Sequence, residues 1–114
     1  MELLEDPSYV WVARLDGLPA GSARAVEIDG RDVALFNVDG ALFAIEGSCP
    51  HQGGPLVDGW RAGFEIACPW HGWCFDLRTG AMALGAQFDS IETFDVQTDG
   101  ADIFVARAPR SARG

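Results

Sequence analysis

Apolar and polar positions alternate along most of the chain in short runs, and glycine or proline interrupts them. The first run is Tyr9 to Arg14, aromatic and β-branched. Ala23 to Ile28, Val33 to Val38 and Leu42 to Glu46 follow, with Asp29-Gly30 and Asp39-Gly40 standing between them. Asp-Gly between alternating apolar runs is the strongest local hairpin signal. Phe64 to Cys68 and Trp73 to Leu77 read as two more strands, the second ended by Arg78-Thr79-Gly80. Ile91 to Gln97 and Asp102 to Ala106 read as a last hairpin around Asp99-Gly100. No segment sustains a helical apolar period, so the expected class is all-β.

One stretch breaks this rhythm. Gly47 to Gly59 reads GSCPHQGGPLVDG and carries neither a strand nor a helix pattern. Ordered loops of this length usually exist for a functional reason.

Composition narrows the picture. The 114 residues suit one domain, 1–114, and 48% apolar with 22% charged residues is globular rather than disordered. Apolar runs such as Val33 to Phe36 and Ala41 to Ile45 fall far short of the ~20 residues a membrane helix needs. The N-terminus, Met1-Glu2-Leu3-Leu4-Glu5-Asp6-Pro7, has no basic-then-apolar leader and no Arg-Arg pair. A cytoplasmic protein without membrane contact is therefore expected.

The net charge is −9, and all eight basic residues are arginine. Such a surface repels phosphate backbones, which argues against nucleic acid, and suits steering toward a basic protein surface. Arg107, Arg110 and Arg113 lie in an acid-free end, 107–114, expected to be a frayed basic tail.

Three cysteines, Cys49, Cys68 and Cys74, are too few and odd in number for a disulfide framework. Both histidines of the chain sit beside two of them. Cys49-Pro50-His51 is a C-x-H element and Cys68-Pro69-Trp70-His71 a C-x-x-H element, with sixteen residues between His51 and Cys68. Proline stiffens each turn, and the following glycines let the backbone approach a bound group closely. Two cysteines and two histidines could hold one tetrahedral zinc. They could equally hold two irons, Cys₂ on one and His₂ on the other. Zinc fingers usually group a Cys pair and then a His pair. The Cys-His, Cys-His order here favours the two-metal arrangement, with each loop serving both irons.

The sequences CPHQGGPL and CPWHGWCFDLRTG resemble the Rieske domains of bacterial ring-hydroxylating oxygenase systems. The resemblance covers nearly the whole chain. It implies stacked antiparallel sheets, with a small cluster-binding subdomain at 47–80 inserted in a larger basal β-subdomain. It also implies one [2Fe–2S] cluster on Cys49, His51, Cys68 and His71. Rieske proteins of respiratory complexes are similar but carry one more cysteine in each loop. Those positions are Gly54 and Trp70 here, so that disulfide is absent. Hydroxyl residues that raise the potential in those proteins correspond to Trp73 and Phe75. A low-potential cluster is the expectation.

The histidine count decides the role. A mononuclear iron on a 2-His-1-carboxylate triad needs histidines that the cluster already uses. No lysine is present for a P-loop, and no G-x-G-x-x-G fingerprint appears. The chain is then neither the oxygenase nor its reductase. The resemblance implies an electron-transfer ferredoxin, not an enzyme. Its partners would be an NAD(P)H-dependent flavin reductase and a terminal oxygenase of aromatic-ring hydroxylation. The alternatives are a small Rieske subunit of another oxidoreductase, such as assimilatory nitrite reductase, and a structural zinc-binding interaction module. In the family the two histidines lie at an exposed tip, so docking is expected near Gln52, Gly53, Pro55, Trp70 and Gly72.

Other residues read more plainly. Cys74 is expected as a small buried hydrophobe and Trp73 as core. Trp11 and Trp60 are expected in the core or between subdomains. Asp76 and Arg78 resemble family positions that tie down the second loop through a salt bridge.

Overall fold

The computed structural model describes residues 5–48, 54–69, 74–81 and 91–110. Among these, ten strands follow in order: β1 (Tyr9–Arg14), β2 (Ala23–Ile28), β3 (Arg31–Val38), β4 (Ala41–Glu46), β5 (Trp60–Ala62), β6 (Glu65–Ala67), β7 (Cys74–Asp76), β8 (Thr93–Phe94), β9 (Val96–Asp99) and β10 (Asp102–Ala106). Two one-turn 3₁₀ helices, Leu15–Gly17 and Leu56–Asp58, interrupt them. No helix among the described residues is long and apolar enough to cross a membrane.

The strands form three antiparallel sheets, ordered β1-β10-β9, β2-β3-β4-β8 and β5-β6-β7. The all-β expectation is met. Turn chemistry sets two hairpins of the middle sheet. Asp29 and Gly30 have φ of 53° and 79°, and Asp39 and Gly40 have φ of 53° and 96°. Left-handed backbone at both central residues is what a two-residue type I′ hairpin requires. The flanking pairs Ile28↔Arg31 and Val38↔Ala41 close directly on those turns.

The middle sheet is a central layer. Val33 and Leu35 of β3 pack with Ala13, Ile103 and Val105 of the first sheet. Ala34, Phe36 and Val38 point the other way, into a second core with Leu56, Ile66, Phe75 and Leu77. Burial on both faces explains why Val33 to Val38 reads as a nearly continuous apolar run. The single polar residue in that run, Asn37, is satisfied. Its Nδ2 donates to the Leu18 carbonyl at 2.8 Å, and its Oδ1 accepts from the Gly40 amide at 2.8 Å.

Several expectations need correction. Ile91 to Gln97 is not one strand. The chain pairs with β4 through Thr93 and Phe94, breaks at Asp95, and then pairs with β10 from Val96 onward. A strand that switches sheets in this way makes the corner of the sandwich. The loop ending at Gly59 is followed by β5, which the apolar pattern misses because all three of its residues are exposed. Trp60 on that strand is 68% exposed, and Trp11 on the edge strand β1 is 48% exposed, so neither is core. Trp11 instead donates its indole Nε1–H to Asp102 at 3.0 Å.

The start of the basic tail is not frayed. The Arg107 amide donates to the Ser8 carbonyl, and its guanidinium reaches the Pro7 carbonyl and Asp29 Oδ1. The Arg110 amide donates to the Thr93 carbonyl. Backbone hydrogen bonds and acidic partners hold residues that composition alone marks as loose.

Candidate metal centre

Both loops expected to carry ligands are pinned at their bases. The first is closed by a bridge between Ser48 and Pro55 and by the Leu56 amide, which donates to the Gly47 carbonyl at 2.9 Å. Residues 49–54 lie between the two ends of that bridge, and Gly54 is the described one among them. The second loop is the connection between β6 and β7, whose last pair is Ala67↔Cys74. Two adjacent antiparallel strands therefore bound the segment 68–73.

Glycine makes the two bases compatible. A Cβ on Gly59 would fall 2.1 Å from the Ala67 carbonyl oxygen, and one on Gly47 would fall 2.9 Å from the Asp32 Cβ. Backbone packs directly on neighbouring structure at both places. Leu56, just after the first loop, and Cys68, at the start of the second, share one core with Ile66 and Phe75. The two loop bases are thus joined through packed apolar side chains.

Of the four expected ligands, Cys68 is described, and it is 0% exposed. Cys49, His51 and His71 lie outside the described residues, as do Gln52, Gly53, Trp70, Gly72 and Trp73. Pro55 is half-buried beside the Ser48 bridge, and Gly54 is buried. A buried thiol at a constrained loop entrance fits a thiolate ligand, because a bound metal deprotonates it and replaces its lost solvation.

The second hairpin is braced from behind. Arg78 donates to Asp76 from its backbone amide at 2.7 Å, from Nε at 3.1 Å and from Nη2 at 2.9 Å. These side-chain hydrogen bonds, against the opposing effect of burial, hold the Asp76 carboxyl below its ordinary pKa. The salt bridge expected between these two residues is present. The Arg78 guanidinium also lies 4.5 Å above the Phe64 ring, and Phe64 meets Phe43 of β4 edge-to-face at 5.7 Å. A cation–aromatic chain therefore links the hairpin to the middle sheet. Sequence reasoning placed Phe64 in a strand, whereas it stands in the turn before β6.

Cys74 is half-buried, not fully buried as expected. It lies opposite Ala67, while Glu65 lies opposite Asp76 on the same face. Burial, and then the Glu65 carboxylate, push the Cys74 thiol up from its ordinary pKa.

The model of the Rieske [2Fe-2S] domain matches residues 8–95. The chain belongs to this family. A Rieske domain holds one [2Fe–2S] cluster, which sets aside the single-zinc reading of the motif. Among curated relatives, this Rieske chain is 32% identical over 92 residues to the ferredoxin component of the naphthalene 1,2-dioxygenase/salicylate 5-hydroxylase systems of Ralstonia sp.. That alignment covers 81% of this chain and 88% of the relative. It is also 35% identical over 101 residues to human apoptosis-inducing factor 3, covering 89% of this chain but only 16% of that longer protein. Among solved structures, it superposes on a chain of the complex of reduced oxygenase and oxidized ferredoxin in carbazole 1,9a-dioxygenase. The TM-score is 0.85 at 25% identity, covering 92% of this chain and 98% of that one.

Proposed function

We propose that this Rieske chain is the ferredoxin component of an aromatic-ring-hydroxylating oxygenase system. It would carry single electrons from an NAD(P)H-dependent flavin reductase to a terminal non-haem iron oxygenase, and is itself no enzyme. The observation that carries this reading is similarity to a dioxygenase ferredoxin component over 81% of this chain and 88% of that relative, in a chain whose only two histidines belong to the cluster motif.

Cys49, His51, Cys68 and His71 would hold the cluster through two thiolates and two imidazoles. The bound cluster supplies reversible one-electron chemistry. The chain's own residues supply the rest. The Ser48–Pro55 bridge and the Ala67–Cys74 pair fix the loop bases, and the apolar surround of Cys68 excludes water from the thiolate side. Docking uses Gln52, Gly53, Pro55, Trp70 and Gly72, a small contact suited to a transient redox encounter. The charge of −9 steers it toward basic partner surfaces.

The test is direct. Purified protein is assayed for iron, acid-labile sulfide and the EPR signal of the dithionite-reduced form. It is then supplied to a reductase and a terminal aromatic-ring oxygenase in a turnover assay. Two irons and two sulfides per chain, with turnover that depends on this chain, support the reading. Cluster present but no electron delivery to any ring-hydroxylating oxygenase overturns the oxygenase role. Four single substitutions, Cys49→Ser, His51→Ala, Cys68→Ser and His71→Ala, each abolish the EPR signal if the ligand set is right.

A further inference from the structure

The segment after β10 crosses three parts of the molecule. At its start the Arg107 guanidinium ties the Pro7 carbonyl to Asp29, far from the cluster hairpin in the topology. At its end Arg110 makes a different set of contacts. Its backbone amide donates to the Thr93 carbonyl of β8 at 2.7 Å. Its Nε lies 3.4 Å from Asp95 Oδ1, at the corner where the chain leaves the middle sheet for the first. Its Nη1 donates to the Arg78 carbonyl at 3.3 Å, in the turn that follows β7.

That turn is continuous with the second ligand loop. Asp76 closes it twice: its amide donates to the Ala81 carbonyl at 2.9 Å, and its carbonyl accepts from the Gly80 amide at 2.7 Å. The Asp76 carboxylate is occupied by the Arg78 guanidinium. Arg110 is therefore a cation fastened to β8 and to the corner at Asp95, whose Nη1 reaches the turn that ends the β6–β7 hairpin.

We infer that Arg110 is a positioning residue for the cluster hairpin, a bolt that fixes the β6–β7 unit against the corner at Asp95. The inference rests on the ligand assignment proposed above for its bearing on the cluster. Its mechanical part does not need that assignment. Arg107, three residues earlier, has no share in this role, because its partners are the Pro7 and Ser8 carbonyls of the N-terminal segment and Asp29 of the β2–β3 turn.

Hydrogen exchange of the holoprotein, read by mass spectrometry at peptide level, separates the two arginines. Arg110→Ala speeds exchange in residues 74–81 by about fivefold, the scale of one exposed charge-assisted contact, while β3 exchanges at the wild-type rate. It also speeds iron release to a chelator. Arg107→Ala changes neither. Asp95→Asn, which leaves the arginine in place but weakens its anchor, shows a smaller effect of the same kind and serves if Arg110→Ala folds poorly. Wild-type exchange in residues 74–81 of both Arg110→Ala and Asp95→Asn overturns the inference, as does equal acceleration throughout the chain. If the wild-type protein binds no [2Fe–2S] cluster, the ligand assignment falls, and the exchange pattern still decides the bolt.

Discussion

Gly80 and Ile91 are in backbone contact: a Cβ on Gly80 would sit 2.0 Å from the Ile91 carbonyl oxygen, while the Ile91 amide donates to the Gly80 carbonyl at 2.8 Å. Gly80 also has φ of +80°, where side chains are strained. The contact joins the end of the β6–β7 hairpin to the residues just before β8, which lead into the sandwich corner.

Gly80→Ala should accordingly be far costlier than an ordinary left-handed glycine replacement. Gly100 provides the comparison, with φ of +62° and nothing within 4 Å of where a Cβ would stand. Gly100→Ala is expected to cost about 1 kcal/mol from backbone strain alone. Gly80→Ala adds a clash with backbone that cannot swing aside and should exceed about 3 kcal/mol. Urea unfolding of both variants checks this; equal losses would refute the contact.

The same hairpin shows what the sequence could and could not reveal. Asp29-Gly30 and Asp39-Gly40 are turns in which local chemistry decides the geometry, so both hairpins were legible. The C-x-H and C-x-x-H elements stood out for a similarly local reason, since they are paired residue types at fixed short spacing, and they carried the resemblance to the Rieske family. Asp95 was not legible, because a strand that changes sheets keeps its apolar pattern across the break. β5 was hidden because backbone pairing with β6, not side-chain burial, holds it. The exposure of Trp11 and Trp60 depends on which strands end up at sheet edges, a tertiary fact that no local window contains. The ordering of Arg107 and Arg110 likewise depends on acids distant in sequence.

The Asp76–Arg78 pair should leave a pH signature. The Asp76 carboxyl is held below its ordinary pKa in the folded state, chiefly by the Arg78 hydrogen bonds. A depressed carboxyl contributes stability that is fully present above its unfolded value, about 3.9, and lost as pH falls through the lower folded value. Asp76→Asn should therefore cost about 1–2 kcal/mol at neutral pH, the value for hydrogen bonds to a charged group discounted for the exposure of Arg78. The gap from wild type should close in acid, below the ordinary carboxylate range. Unfolding measured from pH 7 downward checks the sign; a gap that widens in acid would contradict the pairing.

Arg78 and Phe64 should be energetically coupled. The guanidinium stands 4.5 Å above the ring, and the ring leans on Phe43. Partly exposed cation–aromatic pairs contribute about 0.5–1 kcal/mol. A double-mutant cycle of Arg78→Met and Phe64→Leu should return a coupling of that size. The Asp76 contact survives Phe64→Leu, so the cycle isolates the aromatic term. Additive losses would mean that the stacking carries no energy.

The potential of the cluster should lie near the low end of the Rieske range, roughly −150 mV. Three features point the same way. Gly54 and Trp70 occupy the positions where similar high-potential proteins carry a disulfide, so no such bridge can form. Phe75 and Trp73 supply no hydroxyl, and Phe75 is wholly buried in the apolar core that holds Cys68. Fewer hydrogen bonds to sulfur leave the reduced form less stabilised. The charge of −9 further opposes an added electron. Because that last contribution is long-range, salt should screen it and move the midpoint upward. A redox titration at two ionic strengths separates the parts. A midpoint well above zero at both would show that hydrogen bonding in the ligand loops outweighs the missing hydroxyls, and a salt-independent value would remove the surface charge from the argument.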